Sequence, residues 1–227
     1  MIKLERTATY GWEAAIRGMR NPMNSWDKSD TTFPLGIGTW SIGESDLKLM
    51  KSLSKAGNDH GKFLRMINVT VDITAPLYWW KEFDTYKVGT VANSCSTMHK
   101  IHDKAFTLSD FSCDHLLNTG CDLFDVEWEG GLFGRTIQPM EFLCNYTIPV
   151  LNICREKYLG TKDKDYWWQM IQLLPSSYNQ KRTVQLNYQV LKSMYFARRH
   201  HKLDEWHDFC AWCESLPYFK EICIDGN

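Results

Sequence analysis

Residues 66–75 alternate without interruption. Ile67, Val69, Val71 and Ile73 fall on one side, and Asn68, Thr70, Asp72 and Thr74 fall on the other. β-Branched residues at a period of two put one face in a core only when the backbone is extended, so the segment reads as a strand with an apolar and a polar face. Pro76 ends the pattern because it has no N–H to give to a ladder. A strand of this kind needs a sheet, and something packed against its apolar side.

Helical spacing supplies that something. Residues 11–20 (GWEAAIRGMR) read as a short helix stopped by Asn21-Pro22, since the residue before proline resists the α region. Residues 44–56 carry Leu47, Met50, Leu53 and Ala56 at helical intervals, with Gly57 as the C-terminal stop. Residues 77–86 are aromatic and read as helical, and residues 167–174 form an apolar helix stopped at Pro175. Residues 184–218 read as two helices. The first buries Leu186, Val190, Leu191 and Met194; the second buries Leu203, Trp206, Phe209, Cys210 and Cys213. Residues 31–43 are Gly-rich and loop-like. Their Gly36-Ile37-Gly38 lacks the preceding strand and the following Lys-Ser/Thr that a phosphate-binding loop requires. With no internal repeat and no low-complexity linker, residues 1–227 are expected to form a single α+β domain, a central sheet with flanking helices.

The charge balance limits what such a domain binds. Across 227 residues, 26 Lys and Arg oppose 27 Asp and Glu, a net charge of −1. A protein that tracks a long nucleic acid carries a basic excess, so that class is excluded, whereas one small nucleotide needs only a few local cations. Aromatic residues make up 14% of the chain, which suits a well-filled core, a subunit interface or stacking on flat ligands. Residues 1–30 hold no apolar run flanked by basic residues, and no stretch approaches the roughly 20 apolar residues of a membrane span. The eight cysteines are scattered through a chain too large to need staples. Reduced thiols and a cytoplasmic location are the expectation, which leaves the Asn-x-Thr matches at Asn68 and Asn145 without meaning.

The segment Asn68-Val69-Thr70-Val71-Asp72-Ile73-Thr74-Ala75-Pro76, followed by Trp79-Trp80, resembles the core strand and helix of flavin-dependent thymidylate synthases. In that family the strand ends in a similar Ala-Pro. An aromatic helix, an Arg-His-Arg triplet and, seven residues on, a Ser within an Asn-Glu-x-Ser-Gly-Arg-Tyr run follow. Counted from Ala75-Pro76, the triplet falls on Thr85-Tyr86-Lys87 and the next Ser/Thr on Thr90. With one inserted residue the later run falls on Asn93 to His99, its Ser on Ser96. Upstream, the His of the family's His-x-Ser-Pro-x-Glu-His element falls on His60, with Lys62 and Arg65 at its Ser and Glu positions. A second block is independent of the first. Leu174-Pro175 is followed at the family's interval by Asn187-Tyr188-Gln189, and the helix runs on to Arg198 before Glu205-Trp206. The two blocks, with a vaguer match at residues 14–20, cover about 90 residues.

The resemblance implies a flavin-dependent thymidylate synthase-like fold and a homotetramer with composite pockets. FAD is its cofactor, and its chemistry passes a methylene group to the uracil of dUMP. It also implies that guanidinium groups hold the ligands, a task for which the planar, permanently charged fork of Arg is suited. This chain departs from that set. The triplet is Thr85-Tyr86-Lys87, the Arg of the Ser-Gly-Arg turn is Met98, the Arg before the Leu-Pro proline is Ile171, and the Arg of Asn-x-Arg is Gln189. Arg198 stays, with Ser96, Thr90, Asn187 and the point charge of Lys87. Losing three or four charge-assisted hydrogen bonds, at about 1.5–3 kcal/mol each, costs on the order of 6 kcal/mol, more than about ten-thousandfold in affinity.

The candidate ligand-binding residues implied by the resemblance are therefore His60, Lys62, Arg65, Lys87, Thr90, Asn93, Ser96, Asn187 and Arg198, with Ser96 as the catalytic candidate if the chain is an enzyme. Arg198-Arg199-His200-His201-Lys202 also reads as a solvated helix end, His60 as a packed histidine, and Arg17 and Arg20 as surface charges. Cys210 and Cys213, with His207 and His200 upstream, could form a zinc cluster, but the spacing lies inside an apolar helix, where core cysteine is the better reading and no metal is expected. Cys95 beside His99 is a candidate nucleophile or a plain loop cysteine.

Two functions follow. One is a nucleotide-binding protein that does not catalyse standard thymidylate synthesis and sequesters a nucleotide or nucleotide-derived signal, as in a phage or prophage setting. The other is a divergent flavin-dependent thymidylate synthase or related pyrimidine-methylating enzyme. A third reading is an oligomeric interaction protein without a small ligand.

Overall fold

The computed structural model describes residues 2–33, 40–118, 125–126 and 135–225, with residues 125–126 and 135–136 described by their backbone alone. In chain order the first half holds β1 (Lys3–Tyr10), α1 (Trp12–Arg20), α2 (Glu44–Lys55), β2 (Asn68–Pro76), α3 (Leu77–Phe83), β3 (Val91–Ser94) and α4 (Thr97–Lys100). Then come β4 (Asp125–Val126), β5 (Arg135–Thr136), α5 (Pro139–Phe142), α6 (Ile148–Thr161), α7 (Lys164–Leu173), β6 (Asn179–Asn187), α8 (Tyr188–Arg198) and α9 (Asp204–Ser215). Four strands form one sheet in the order β1-β2-β6-β3. The chain divides into two compact units, one of residues 2–74, 83–93 and 182–227, the other of residue 1, 75–82 and 94–181.

In the first unit, β2 behaves as its alternation requires: Ile67, Val69, Val71 and Ile73 are buried, while the polar residues between them are half-exposed. β1 pairs antiparallel with β2 through a bulge between Glu5 and Ala8, where Arg6 takes a φ of +53°. Helix α1 ends at Arg20, immediately before Asn21-Pro22, and α2 stops before Gly57, whose φ of +100° is open to glycine at little cost. Gly11, at φ +85°, lies so close to the Met66 carbonyl that a Cβ would collide with it.

Residues 184–187 correct the sequence reading: they complete β6, and the helix starts only at Tyr188. Val184 and Leu186 are buried with a period of two and exposed residues between them, so packing against the sheet governs there. The aromatic helix ends at Phe83, short of Tyr86. Helix α9 buries Trp206, Phe209, Cys210 and Cys213, so the two cysteines are core residues. Burial pushes the Cys210 thiol up to about 11 and that of Cys213 well above its usual value. Among the described residues, no group of three or more His, Cys, Asp and Glu is placed to hold a metal ion.

The second unit has its own core of Ile101, Phe106, Phe111, Leu143, Leu151 and Met170. Helix α7 begins at Lys164, three residues earlier than its apolar spacing implies, because the Asp163 side chain caps the Asp165 N–H at 3.0 Å. Asn152 locks a loop to α6 by accepting from the Phe106 N–H and donating to its carbonyl, at 2.8 and 2.9 Å. No helix of the described residues is long and apolar enough to cross a membrane. Gly36-Ile37-Gly38 and Cys121 lie outside the described residues, and the seven described cysteines are free.

Candidate functional site

The first turn of α8 gathers most of the candidate residues of the first unit. Asn187 caps it, its Oδ1 accepting from the Val190 N–H at 3.0 Å. Gly89, at φ +75°, packs against that cap. A Cβ there would sit 2.8 Å from Asn187 Nδ2 and 3.1 Å from a Val190 methyl, so only glycine fits. This contact carries Gly89 and the adjoining Thr90 to the same end of the helix. On its other side, Gln189 Nε2 donates to Asn58 Oδ1 at 3.1 Å, tying in the loop that leads to His60.

The short 3-10 turn Gly61–Arg65 follows. It buries Phe63 and Leu64, which turns Lys62 and Arg65 outward. His60, Lys62, Arg65 and Lys87 are exposed, and the side chains of Lys62, Arg65 and Lys87 pair with no described residue. Thr90 differs: its Oγ1 is buried and has no hydrogen-bond partner. A buried hydroxyl without a partner is uncommon in a folded protein and marks a place where a polar group belongs. Asn93 is exposed on β3.

Arg198 sits at the opposite end of α8. Eleven residues at about 1.5 Å each separate it from Asn187 by roughly 16 Å, so the two do not share one spot. Its Nε donates to the Tyr86 hydroxyl at 3.0 Å, and its guanidinium carbon lies 4.9 Å from the Trp206 ring and 5.6 Å from that of Tyr86. The guanidinium packs against two rings, themselves 6.4 Å apart, and the hydrogen bond to Tyr86 fixes its orientation. The residues from Tyr86 to Thr90 therefore run along α8 and link its two ends. The sequence reading missed Tyr86 and Trp206 as the residues that hold Arg198, and it missed Gly89.

Two weaker candidates have other work. Arg20 is buried: its Nε donates to Asp46 at 2.6 Å, and its two remaining nitrogens donate to the Ser25 carbonyl and the Ser45 hydroxyl. It is a structural cation, not a surface charge. Arg17 is exposed, 3.8 Å from Glu13 one turn away.

Ser96 belongs to the second unit. Its Oγ caps α4 by accepting from the His99 N–H at 3.1 Å, which is a structural task for the residue named as a catalytic candidate. Cys95 is exposed, and its thiol makes no hydrogen bond to His99. The Cys95 backbone is pinned by the Lys181 carbonyl and the Gln180 amide, at 2.9 and 2.8 Å.

One position at which the resemblance expects a guanidinium holds a side chain already engaged, Gln189 by Asn58, and the position between the triplet's two Arg holds Tyr86, engaged by Arg198. With Thr85, Lys87, Met98, Ile171 and Gln189 in place of Arg, the residues present do not fit a flavin diphosphate held by paired guanidinium forks.

No protein-family model and no curated protein matches this chain. Its three-dimensional likeness to solved structures is extensive. It superposes on thymidylate synthase X from Helicobacter pylori, with FAD and dUMP, at a TM-score of 0.64 and 14% identity, covering 100% of this chain and 99% of that one. A second structure of the Helicobacter pylori flavin-dependent thymidylate synthase, complexed with FAD and dUMP, gives 0.64 at 15% identity, with 98% of each chain covered. The UMP/dUMP methylase PolB from Streptomyces cacaoi, bound with 5-Br dUMP, gives 0.61 at 15% identity, covering 98% and 94%. The chain has the fold of the flavin-dependent thymidylate synthases, over its whole length.

Proposed function

We propose that this protein binds a nucleotide at α8 and does not carry out standard thymidylate synthesis. The observation that carries the reading is Arg198. It stands at a position where the resemblance expects a ligand-binding guanidinium, and Tyr86 and Trp206 hold it in one orientation. A guanidinium pre-set in this way loses little freedom on meeting a phosphate or a uracil carbonyl. The unpaired charges of Lys62, Arg65 and Lys87 supply attraction for an anion.

Val88 and Val91, which flank Lys87 and Thr90, are 89% and 68% exposed. Apolar side chains left in water beside a cationic site suit a pocket closed by a second copy, in keeping with a homo-oligomer, and a tetramer is the expected form. With the guanidinium set depleted, sequestration of a nucleotide or nucleotide-derived signal in the cytoplasm, as a phage protein would practise it, is the biological reading.

The UMP/dUMP methylase of the same fold favours one alternative, a divergent pyrimidine-methylating enzyme. In that reading Lys62, Arg65 and Lys87 hold the phosphates of dUMP and FAD as point charges. Calorimetry with dUMP, an absorption spectrum and light scattering on the purified protein separate the readings. Saturable dUMP binding by a colourless oligomer is expected. A yellow protein whose flavin is oxidised on adding dUMP would establish the enzyme, and no nucleotide binding at all would sink both.

A further inference from the structure

The net charge of −1 is not evenly spread along the chain. Residues 48–65 hold Lys48, Lys51, Lys55, Lys62 and Arg65 against one acid, Asp59. The first three lie on α2 at intervals of three and four residues, which puts them in a row on one face of the helix. From Lys48 to Lys55 the row is about 10 Å long, at about 1.5 Å per residue. The 3-10 turn that carries Lys62 and Arg65 packs against the end of α2, where a Cβ on Gly61 would lie 3.8 Å from the Leu53 carbonyl oxygen. All five cations belong to one compact unit.

Lys51 is half-exposed and the other four are exposed, and none of the five side chains pairs with a described residue. Glu44, which opens the same face of α2, and Asp59 pair with none of them. Like charges three and four apart on a helix repel, so Lys48 beside Lys51 and Lys51 beside Lys55 weaken α2 in the isolated chain. Lys192 shows what a structural cation does in this place. Its Nζ donates to the Ser54 carbonyl and hydroxyl at 3.0 and 2.9 Å, and so closes the C-terminal end of α2. The row has no such task. Charges that break a local rule without internal compensation mark a place where the counter-charge comes from outside.

The apolar residues of α2 turn away from the row: Met50 is buried, and Leu47, Leu49 and Leu53 are half-buried. The row therefore offers no anchor to a membrane, which needs an apolar face, or to a peptide, which needs a strand edge or apolar pockets. A nucleic-acid backbone needs only cations, and the ammonium of Lys meets its phosphates as a point charge. These cations sit on a helix and on a turn at its end. A flexible single strand reaches both by bending, whereas a duplex is stiff over about 150 base pairs. We propose that Lys48, Lys51 and Lys55 bind successive phosphates of a short single-stranded nucleic acid, whatever its sequence. Lys62 and Arg65, cations of the nucleotide reading above, add to the same positive field, and the row does not depend on that reading.

The probe is a fluorescein-labelled oligodeoxythymidylate of about eight nucleotides, followed by anisotropy with the full-length protein from about 50 to 200 mM salt. Saturable binding is expected, with log K falling against log salt at a slope of about −2 or steeper, about −0.7 for each of three phosphates. Lys48→Gln, Lys51→Gln and Lys55→Gln together remove the charge and keep a helix-forming residue, so the variant should melt no lower than the wild type. It should bind the strand at least about tenfold more weakly, with a slope shallower by about 2, and bind dUMP unchanged. No strand binding, a flat salt dependence or a variant that binds the strand like the wild type overturns the proposal. Tighter binding of a duplex of the same length also overturns it, and so does tighter binding of a polyglutamate peptide, which would give the row to an acidic protein. Strand binding by a protein that ignores dUMP supports the row and sinks the nucleotide pocket; dUMP binding without strand binding does the reverse.

Discussion

The Nε of Arg198 donates to the hydroxyl of Tyr86 at 3.0 Å, so a residue at the far end of α8 is oriented by the middle residue of a triplet 112 positions earlier in the chain. Tyr86 stands where the resemblance expects His. Its phenol satisfies one edge of the guanidinium, and Trp206 covers a face.

Replacing that cation should separate charge from shape. Arg198→Lys keeps the charge but loses the planar fork, and should weaken dUMP binding by about tenfold or more, about 1.4 kcal/mol. Tyr86→Phe removes a hydrogen bond that orients the charged guanidinium and should cost roughly fivefold, about 1 kcal/mol, through looser positioning. Calorimetry on both variants checks the order; equal binding by all three proteins would remove Arg198 from the site.

Asn187 caps a helix and lies beside the candidate site, and one substitution distinguishes the two tasks. Asp is an equally good N-cap and suits the positive end of the helix, so Asn187→Asp should leave the melting temperature nearly unchanged. Its negative charge should nevertheless lower affinity for any phosphate bound nearby. Asn187→Ala should cost about 1 kcal/mol of stability. Melting curves measured beside dUMP titrations report the two effects independently.

Arg20 and Asp46 form a buried ion pair at 2.6 Å that holds residues 29–31. Asp46 also accepts from the Ser29 hydroxyl and from the backbone N–H groups of Asp30 and Thr31. Asp46→Asn leaves Arg20 buried without its counter-charge. The expected loss is about 3 kcal/mol, or roughly 6–12 °C in a chain of this size.

Acid should act on the same pair. Burial alone would raise the Asp46 pKa, but hydrogen bonds from Thr31, Ser29 and Arg20 outweigh it and hold the carboxyl below its ordinary value. A depressed folded-state value means that the carboxylate contributes stability in full above the unfolded value of about 3.9, and loses it as pH falls through the folded value. Urea unfolding midpoints of the wild type should therefore fall towards those of Asp46→Asn below about pH 4, with the gap between the two proteins widest near neutrality.

The thiols should react in a graded order. Cys95 is exposed, whereas Cys213 and Cys223 are buried, and burial lifts the Cys223 thiol to about 12. Because the thiolate is the reactive form, iodoacetamide on the native protein should modify Cys95 first and Cys213 and Cys223 only on unfolding, as peptide mass spectrometry would show.

Periodicity and stop signals were legible in the chain alone. The alternation around Val69 and Val71 needed only an extended backbone to become β2, and Gly57 ends a helix through local sterics that act in any context, whereas Asn21 stays in the α region and the chain passes through Pro22 as a 3-10 turn. The helix carrying Cys210 and Cys213 declared its core face by spacing alone. Strand β6 was not legible, because Gln180, Val184 and Leu186 are its buried residues and polar side chains stand between them; its extended form depends on neighbouring strands. β1 shows no apolar alternation at all, since it buries so little. The site divides in the same way. Motif spacing picked out Arg198 and Asn187, but only the folded chain set them at opposite ends of one helix, brought Tyr86 and Trp206 to Arg198, and buried Arg20 against an Asp46 that lies 26 residues away. Local order is encoded within a few residues, whereas a charge acquires its role from whatever the fold carries within about 4 Å of it.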